Sequence, residues 1–264
     1  MLSIEEIQLM IEKLRRLKHK DFQKIIDSNL KILEDLSEAV DANNQQMIDR
    51  LDKTPGWFYK DLEKKREKTN IDDLLYRMIQ TKIFQFSKTN LYNCIEIGPG
   101  NGMFSKELRS WRKIFFLDIH NLEEKIRRRF HPGHQKHLLF FTTNNHSCDN
   151  IPKDSCNFVF SWDTFVFFTQ VHIKKYLESI YQTLIDGGYC FIQYSNCHDE
   201  VDLNEAKRGY YNYNTKTTME QMIKDTGYEV VEMNQFRSGA NYAIFRKPGK
   251  QNPVVYKVSE IELD

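Results

Sequence analysis

The segment Cys94-Ile-Glu-Ile-Gly-Pro-Gly-Asn-Gly-Met-Phe restricts the fold of this chain more than any other. An apolar run passes directly into Gly98, Gly100 and Gly102, and a helix is predicted over Met103–Arg109. Glycines at such a junction let the backbone turn tightly and approach a ligand without a Cβ clash. In an open α/β sheet that ligand lies outside the carboxyl ends of the strands. Asp118, twenty positions after Gly98, closes the next apolar run. An acid at that place can accept hydrogen bonds from both ribose hydroxyls of a nucleoside.

Seven short apolar runs follow one another from about residue 91. They are YNCIEIG, Lys113–Ile119, His137–Thr143, Asn157–Trp162, Tyr189–Ser195, Tyr228–Phe236 and Asn241–Lys247. Helical patterns separate the earlier ones, at Met103–Arg109, Leu122–Phe130, Val171–Ile185 and Thr217–Thr226. Near-continuous apolar strands alternating with helices indicate a parallel sheet covered on both faces. The last two runs are too close for a crossover helix and should form an antiparallel hairpin. The expected fold is therefore α/β and Rossmann-like, with a seven-stranded, mostly parallel sheet ending in an antiparallel hairpin.

The N-terminal residues have a different texture. Leu2, Ile4, Ile7, Met10, Ile11, Leu14 and Leu17 form one amphipathic stripe, and Phe22 to Leu36 carry a second. This predicts a helical cap over 1–74, a main domain over 75–247 and a tail over 248–264. The cap is a plausible homodimer surface or substrate lid. The 38 basic and 37 acidic residues balance, which argues against a strongly basic nucleic-acid binder. No run of ~18 apolar residues suggests a membrane span, and the charged N-terminus does not read as a signal peptide. Five cysteines without a CxxC pair argue against a disulfide framework or a zinc ribbon and suggest a reducing, cytoplasmic setting.

The glycine spacing is G-x-G-x-G, whereas a nicotinamide dinucleotide usually needs G-x-G-x-x-G. Glu96, two residues before the first glycine, would repel a pyrophosphate and suits a cationic ligand end. S-adenosylmethionine offers both an amino and a sulfonium cation. At this point the chain resembles the class I S-adenosylmethionine-dependent methyltransferases, over roughly residues 75–247. EIGPGNG is similar to their first motif, LDIH to the acid-bearing second and FSWD to the fourth.

The resemblance implies cofactor contacts from Glu96, the loop Gly98, Pro99, Gly100, Asn101 and Gly102, the acid Asp118 with its neighbour Ile119, and Ser161. It also implies an adenine contact from the segment after the third strand, where Asn144, Asn145 and Ser147 are the alternatives and Asn145 is carried as the candidate. Trp162 is a further candidate for packing against the cofactor.

A narrower resemblance is to the sugar O-methyltransferases of surface-polysaccharide (capsule) biosynthesis. It is carried by Asp163, Phe165, Val166, Ser195 and Asn196. Phe167 stands where that group has a histidine, and Gln193-Tyr194 replace a His-His pair. The acceptor is then expected to be a small hydroxylated metabolite, a sugar or nucleotide-linked sugar. A phosphate-derived or amine acceptor is the alternative, as is a non-catalytic cofactor-binding subunit. The candidate catalytic residues are Asp163 after the fourth strand, and Tyr194 and His198 at or beyond the end of the fifth. Asp163 is the first choice for general base or hydroxyl orienter. Packed aromatic and exposed loop histidine are the competing roles for Tyr194 and His198. No metal is expected. His131, His134 and His137 lack carboxylate or thiolate company. The basic run Lys125, Arg127, Arg128 and Arg129 reads as a solvated helix face, with capture of an acidic group as the alternative.

Overall fold

The structure is a computed structural model, and it describes residues 73–87 and 92–249. The expected cap over 1–74 and tail over 248–264 lie outside these residues except at 73, 74, 248 and 249. Strands β1 (Asn93–Ile97), β2 (Lys113–Asp118), β3 (Leu138–Thr142), β4 (Cys156–Ser161), β5 (Leu184–Gln193), β6 (Glu229–Gln235) and β7 (Asn241–Arg246) form one sheet. Its order is β3-β2-β1-β4-β5-β7-β6. β1 to β5 pair in parallel, while β7 runs antiparallel to both β5 and β6. This is the expected α/β sheet with its reversed final strand.

The central strands β1, β2, β4 and β5 read as near-continuous apolar runs because both faces are covered, whereas the edge strand β6 buries only Met233. Ile95, Ile97, Val159, Cys190 and Ile192 face a core shared with Tyr176, Leu177, Met219 and Ile223. These belong to α3 (Gln170–Thr183) and α5 (Lys216–Asp225). Cys94, Phe116, Phe158, Phe160 and Phe191 face the opposite core. There the cover includes α1 (Asp73–Phe86), through Leu75, Ile79, Ile83 and Phe86. That stripe, at spacings of four, four and three, is one helix face. Lys82 of α1 also pairs with Glu232 of the outer strand β6 at 2.7 Å.

Three expectations need correction. The helix predicted over Met103–Arg109 is a short 3-10 turn, Ser105–Leu108. Little chain separates Gly102 from β2, and Trp111 must already be buried in the core before Lys113 begins the strand. The helix predicted over Leu122–Phe130 is only α2, Glu123–Arg127. The strand expected over Tyr189–Ser195 begins earlier, before the Gly187-Gly188 pair. β5 already pairs at Leu184 with Cys156, then shifts register before Tyr189 meets Phe158. Gly187, at φ +73°, forms this irregularity.

An unanticipated helix, α4 (Glu200–Lys207), occupies the connection after β5. Asp199 caps it, accepting from the amides of Val201 and Asp202. α5 begins with a reciprocal cap between Thr215 and Thr218.

Candidate functional site

The strand order reverses between β1 and β4, which opens a crevice at their carboxyl ends. The glycine loop lies there. Gly98, Gly100 and Gly102 have φ of +67°, +55° and +75°. These left-handed values explain why the loop is written in glycine. The Gly98 amide donates to Leu117 of β2 at 2.8 Å, and the Gly102 amide to Pro99 at 2.9 Å. A Cβ on Gly98 would lie 2.1 Å from Thr164 Oγ1. The first glycine therefore admits a side chain of the loop after β4, a contact that the sequence pattern did not reveal.

Glu96 is buried beneath this loop and accepts a 2.6 Å hydrogen bond from Ser105. Burial pushes its carboxyl up to about 8; the Ser105 bond opposes this and the nearby Asp118 carboxylate adds to it. Among the described residues no basic side chain pairs with Glu96. Asp118 ends β2 and accepts from the His120 amide at 3.0 Å. It lines a cleft with Pro99, His120, Phe140 and Thr142. Pro99 and Asp118 are thus brought to one concavity, with Ile119 partly buried beside them.

The other cofactor candidates have local duties. The Ser161 hydroxyl is buried and donates to the Ile97 carbonyl at 2.9 Å, joining β4 to β1. The Asn101 carbonyl accepts from Arg129 Nε at 3.1 Å. Asn145 is exposed, and its side-chain Oδ1 accepts from the hydroxyls of Thr143 at 2.8 Å and Ser147 at 2.9 Å. Trp162 is buried edge-on to Phe104 and Phe191.

On the acceptor side, Asp163 follows β4 at φ +55°, and its amide donates to Gln193 Oε1 at 2.6 Å. His198 is exposed beyond β5, next to the helix cap Asp199. Tyr194 takes the packed-aromatic place. Only 1% exposed, its ring packs in the core that includes Tyr176 and Ile192, and burial raises its hydroxyl well above the usual range. β-strand alternation accounts for this: Cys190, Ile192 and Tyr194 share one face, and Phe191 and Gln193 the other. Gln193 was the polar residue to notice, because it ends an otherwise apolar face.

The tyrosine-rich segment packs over the turn after β4. Asn212 Nδ2 donates to Phe167 O at 2.5 Å, and Asn214 Nδ2 to Phe168 O at 3.2 Å. Phe167 meets Tyr211 edge-on, and Ser195 donates to Asn212 O at 2.7 Å. Ser195 and Asn196 therefore brace this connection. Asn196 donates through its amide to Asp202 and accepts at Oδ1 from Lys216.

The basic run is largely self-paired, Arg127 with Glu123 and Arg128 with Glu124. All five cysteines are buried and free. Among the described residues no group of three or more His, Cys, Asp or Glu is arranged to hold a metal, and no helix is long and apolar enough to cross a membrane.

A glycine loop at the switch point over a buried acid, with a second acid ending the next strand, defines a nucleoside-binding α/β protein. The chain belongs to a methyltransferase-domain family, whose model matches residues 31–233. Among solved structures it is similar to the N-methyltransferase NodS from Bradyrhizobium japonicum WM9 in complex with S-adenosyl-L-homocysteine. That likeness has a TM-score of 0.55 at 16% identity and covers 73% of this chain and 99% of that one. It is also similar to an S-adenosylmethionine-dependent methyltransferase from Mesorhizobium loti, with a TM-score of 0.52 at 11% identity, covering 63% and 96% respectively. At these identities the likeness is one of fold. No curated protein matches the chain by sequence. S-adenosylmethionine is the cofactor of this family and fold.

Proposed function

We propose that the chain transfers a methyl group from S-adenosylmethionine to a hydroxyl of a small metabolite, a sugar or nucleotide-linked sugar of surface-polysaccharide assembly. The observation that carries the cofactor half is the pair Glu96 and Asp118. Two carboxylates close enough to interact sit under and beside an open glycine loop, and among the described residues Glu96 has no cationic partner. That arrangement fits a ligand with a positive end and a ribose. The acceptor half rests on the resemblance carried by Asp163, Phe165, Val166, Ser195 and Asn196.

The bound cofactor supplies an electrophilic methyl on a sulfonium. The residues of this chain then position and exclude. Asp118 accepts from ribose hydroxyls. Glu96 meets the amino end, and the Gly98–Gly102 backbone gives close approach. Asp163 accepts the proton from the acceptor hydroxyl, as a base on the rim of β4. His198 is the alternative proton acceptor. Aligning hydroxyl and methyl contributes up to about 7–11 kcal/mol. The segment 1–74 is assigned as a helical cap and homodimer surface, 75–247 as the catalytic domain and 248–264 as a tail, in a cytoplasmic protein.

The test is calorimetric titration with S-adenosylhomocysteine, followed by methyl transfer across a panel of nucleotide-linked sugars, free sugars and amines. Single-site micromolar binding and methylation of a sugar hydroxyl support the reading. Amine methylation alone overturns the acceptor, and absence of binding by folded protein overturns the whole.

A further inference from the structure

Asp163 sits at the centre of a hydrogen-bonded path crossing the carboxyl edge of the sheet. On one side its amide donates to Gln193 Oε1 at 2.6 Å. Gln193 is 2% exposed, and its Nε2 donates to the carbonyl of Gly239 at 3.2 Å. Gly239 belongs to the turn between β6 and β7. That turn is itself anchored, since the Gly239 amide donates to Asp199 at 3.1 Å and Ser238 Oγ to the same carboxylate at 2.9 Å. On the other side, Thr164 donates to the carbonyl of Gly98 at 3.2 Å and fills the space that a Cβ at Gly98 would take. The path thus runs from the hairpin turn, through Gln193 and the backbone of Asp163 and Thr164, to the first glycine of the cofactor loop.

The chemistry of the two ends fixes the orientation of the Gln193 amide. An amide N–H at Asp163 needs an acceptor, and a carbonyl at Gly239 needs a donor. Among the described residues Asp163 is one of three non-glycine residues at positive φ, a conformation that a side chain tolerates only when its surroundings hold it. The bond that the Asp163 amide donates to Gln193 is one such restraint.

We propose that Gln193 is a positioning residue: by holding the Asp163 backbone in its left-handed conformation it seats Thr164 against Gly98, and so sets the shape of the cofactor loop. The inference rests on the methyltransferase reading for its ligand and concerns a residue that need not touch it.

The experiment compares wild type with Gln193→Met and Gln193→Glu, using S-adenosylhomocysteine as the probe and following binding by calorimetry between pH 5.5 and 8.5. Gln193→Met keeps the volume and removes both bonds. Its affinity should fall at least about tenfold. A carboxyl at 193 reproduces both bonds only while protonated, accepting from Asp163 and donating to Gly239. Gln193→Glu should therefore bind within about threefold of wild type at pH 5.5 and at least about tenfold more weakly at pH 8.5, with burial raising the pKa of the new carboxyl into that window. Wild type, with a non-titrating amide, sets the baseline at each pH.

Thermal melts accompany each point. Loss of affinity in Gln193→Met with the pH-dependent recovery in Gln193→Glu supports the role. Binding by both variants equal to wild type at every pH overturns it. So does a parallel loss in both that ignores pH and follows the melting temperature, because that is the behaviour of a structural clamp. If wild type itself does not bind S-adenosylhomocysteine, the methyltransferase reading fails instead, and the two failures are told apart by the first titration. Thr164→Val, which keeps the packing on Gly98 and loses the hydroxyl, should weaken binding less than Gln193→Met. A larger loss in Thr164→Val would overturn the order of the path.

Discussion

Binding of S-adenosylhomocysteine should release a proton from Glu96. The carboxyl is buried under the glycine loop with Ser105 as its hydrogen-bond donor, and burial holds it at about 8. At pH 7 a group titrating at about 8 is about 0.9 protonated. A ligand ammonium placed against it favours the carboxylate. If that contact lowers the pKa by about two units, the coupling is ~2.7 kcal/mol and about 0.8 proton leaves on binding at pH 7. Affinity should then rise by about fivefold per pH unit between about 6 and 8 and flatten above. Calorimetry in buffers of differing ionisation enthalpy reads the released proton directly. Glu96→Gln should show neither the proton nor the pH slope. The same pKa has a stability consequence. The folded value lies above the ordinary 4.5, so the unbound protein loses stability as pH rises from about 4.5 to 8 and holds level above. Glu96→Gln should therefore gain relative to wild type at pH 9, by at most about 5 kcal/mol in urea unfolding, and gain little at pH 4. Binding at pH 7 without proton release, and a flat affinity between pH 6 and 8, would refute the placement of a ligand cation at Glu96.

Gly98→Ala puts a methyl 2.1 Å from Thr164 Oγ1 at φ +67°, so it should destabilise by ~2 kcal/mol or more and abolish measurable S-adenosylhomocysteine binding; part should return in the Gly98→Ala, Thr164→Gly double variant. An unchanged melting temperature for the single variant would sink this account. Asp118→Ala removes the ribose acceptor and should weaken that ligand at least about tenfold, with melting temperature little moved; equal affinity would end its assigned role. Asp163→Asn keeps a side chain tolerant of positive φ and should slow methyl transfer by about a hundredfold or more while ligand affinity holds. Equal turnover in that variant would return Asp163 to a loop-bracing part. Tyr228→Phe deletes a buried 2.9 Å bond to the Leu177 carbonyl and should cost ~1–2 kcal/mol in urea unfolding, leaving binding unchanged.

The sheet was legible because its signals are local. The central strands are apolar runs, and the short gap between Phe236 and Asn241 permits only a hairpin. The glycine loop and Asp118 were legible for the same reason, since spacing along the chain sets their places on neighbouring strands. Tyr194 and Gln193 were not resolved, although alternation along β5 could have separated them. Counting from Phe191 puts Gln193 on the face of Trp162 and Tyr194 on the face of Tyr176. The contact of Thr164 with Gly98 joins positions 66 residues apart, and no local pattern encodes it. α4 escaped notice because only Asp202 and Ala206 of its eight residues are buried, which leaves hardly any apolar stripe to read.

The shortened first crossover has a consequence for how the site is built. In a unit of strand, glycine loop and helix, the helix both covers the sheet and anchors the loop. Here the 3-10 turn Ser105–Leu108 is too short to cover much, so α1, which precedes β1, takes over part of that work. Tyr76 stacks on Phe104 at 5.5 Å and donates to Glu107 at 2.6 Å, and Gln80 donates to the same carboxylate at 2.8 Å. The loop is thereby anchored at its far end by α1 and at its near end by Thr164, with Ser105 holding Glu96 between them. A ligand that draws the Glu96 carboxylate toward its cation must pull against Ser105, and through it against α1. α1 thus braces the segment that follows the glycine loop, although none of its residues belongs to a glycine motif.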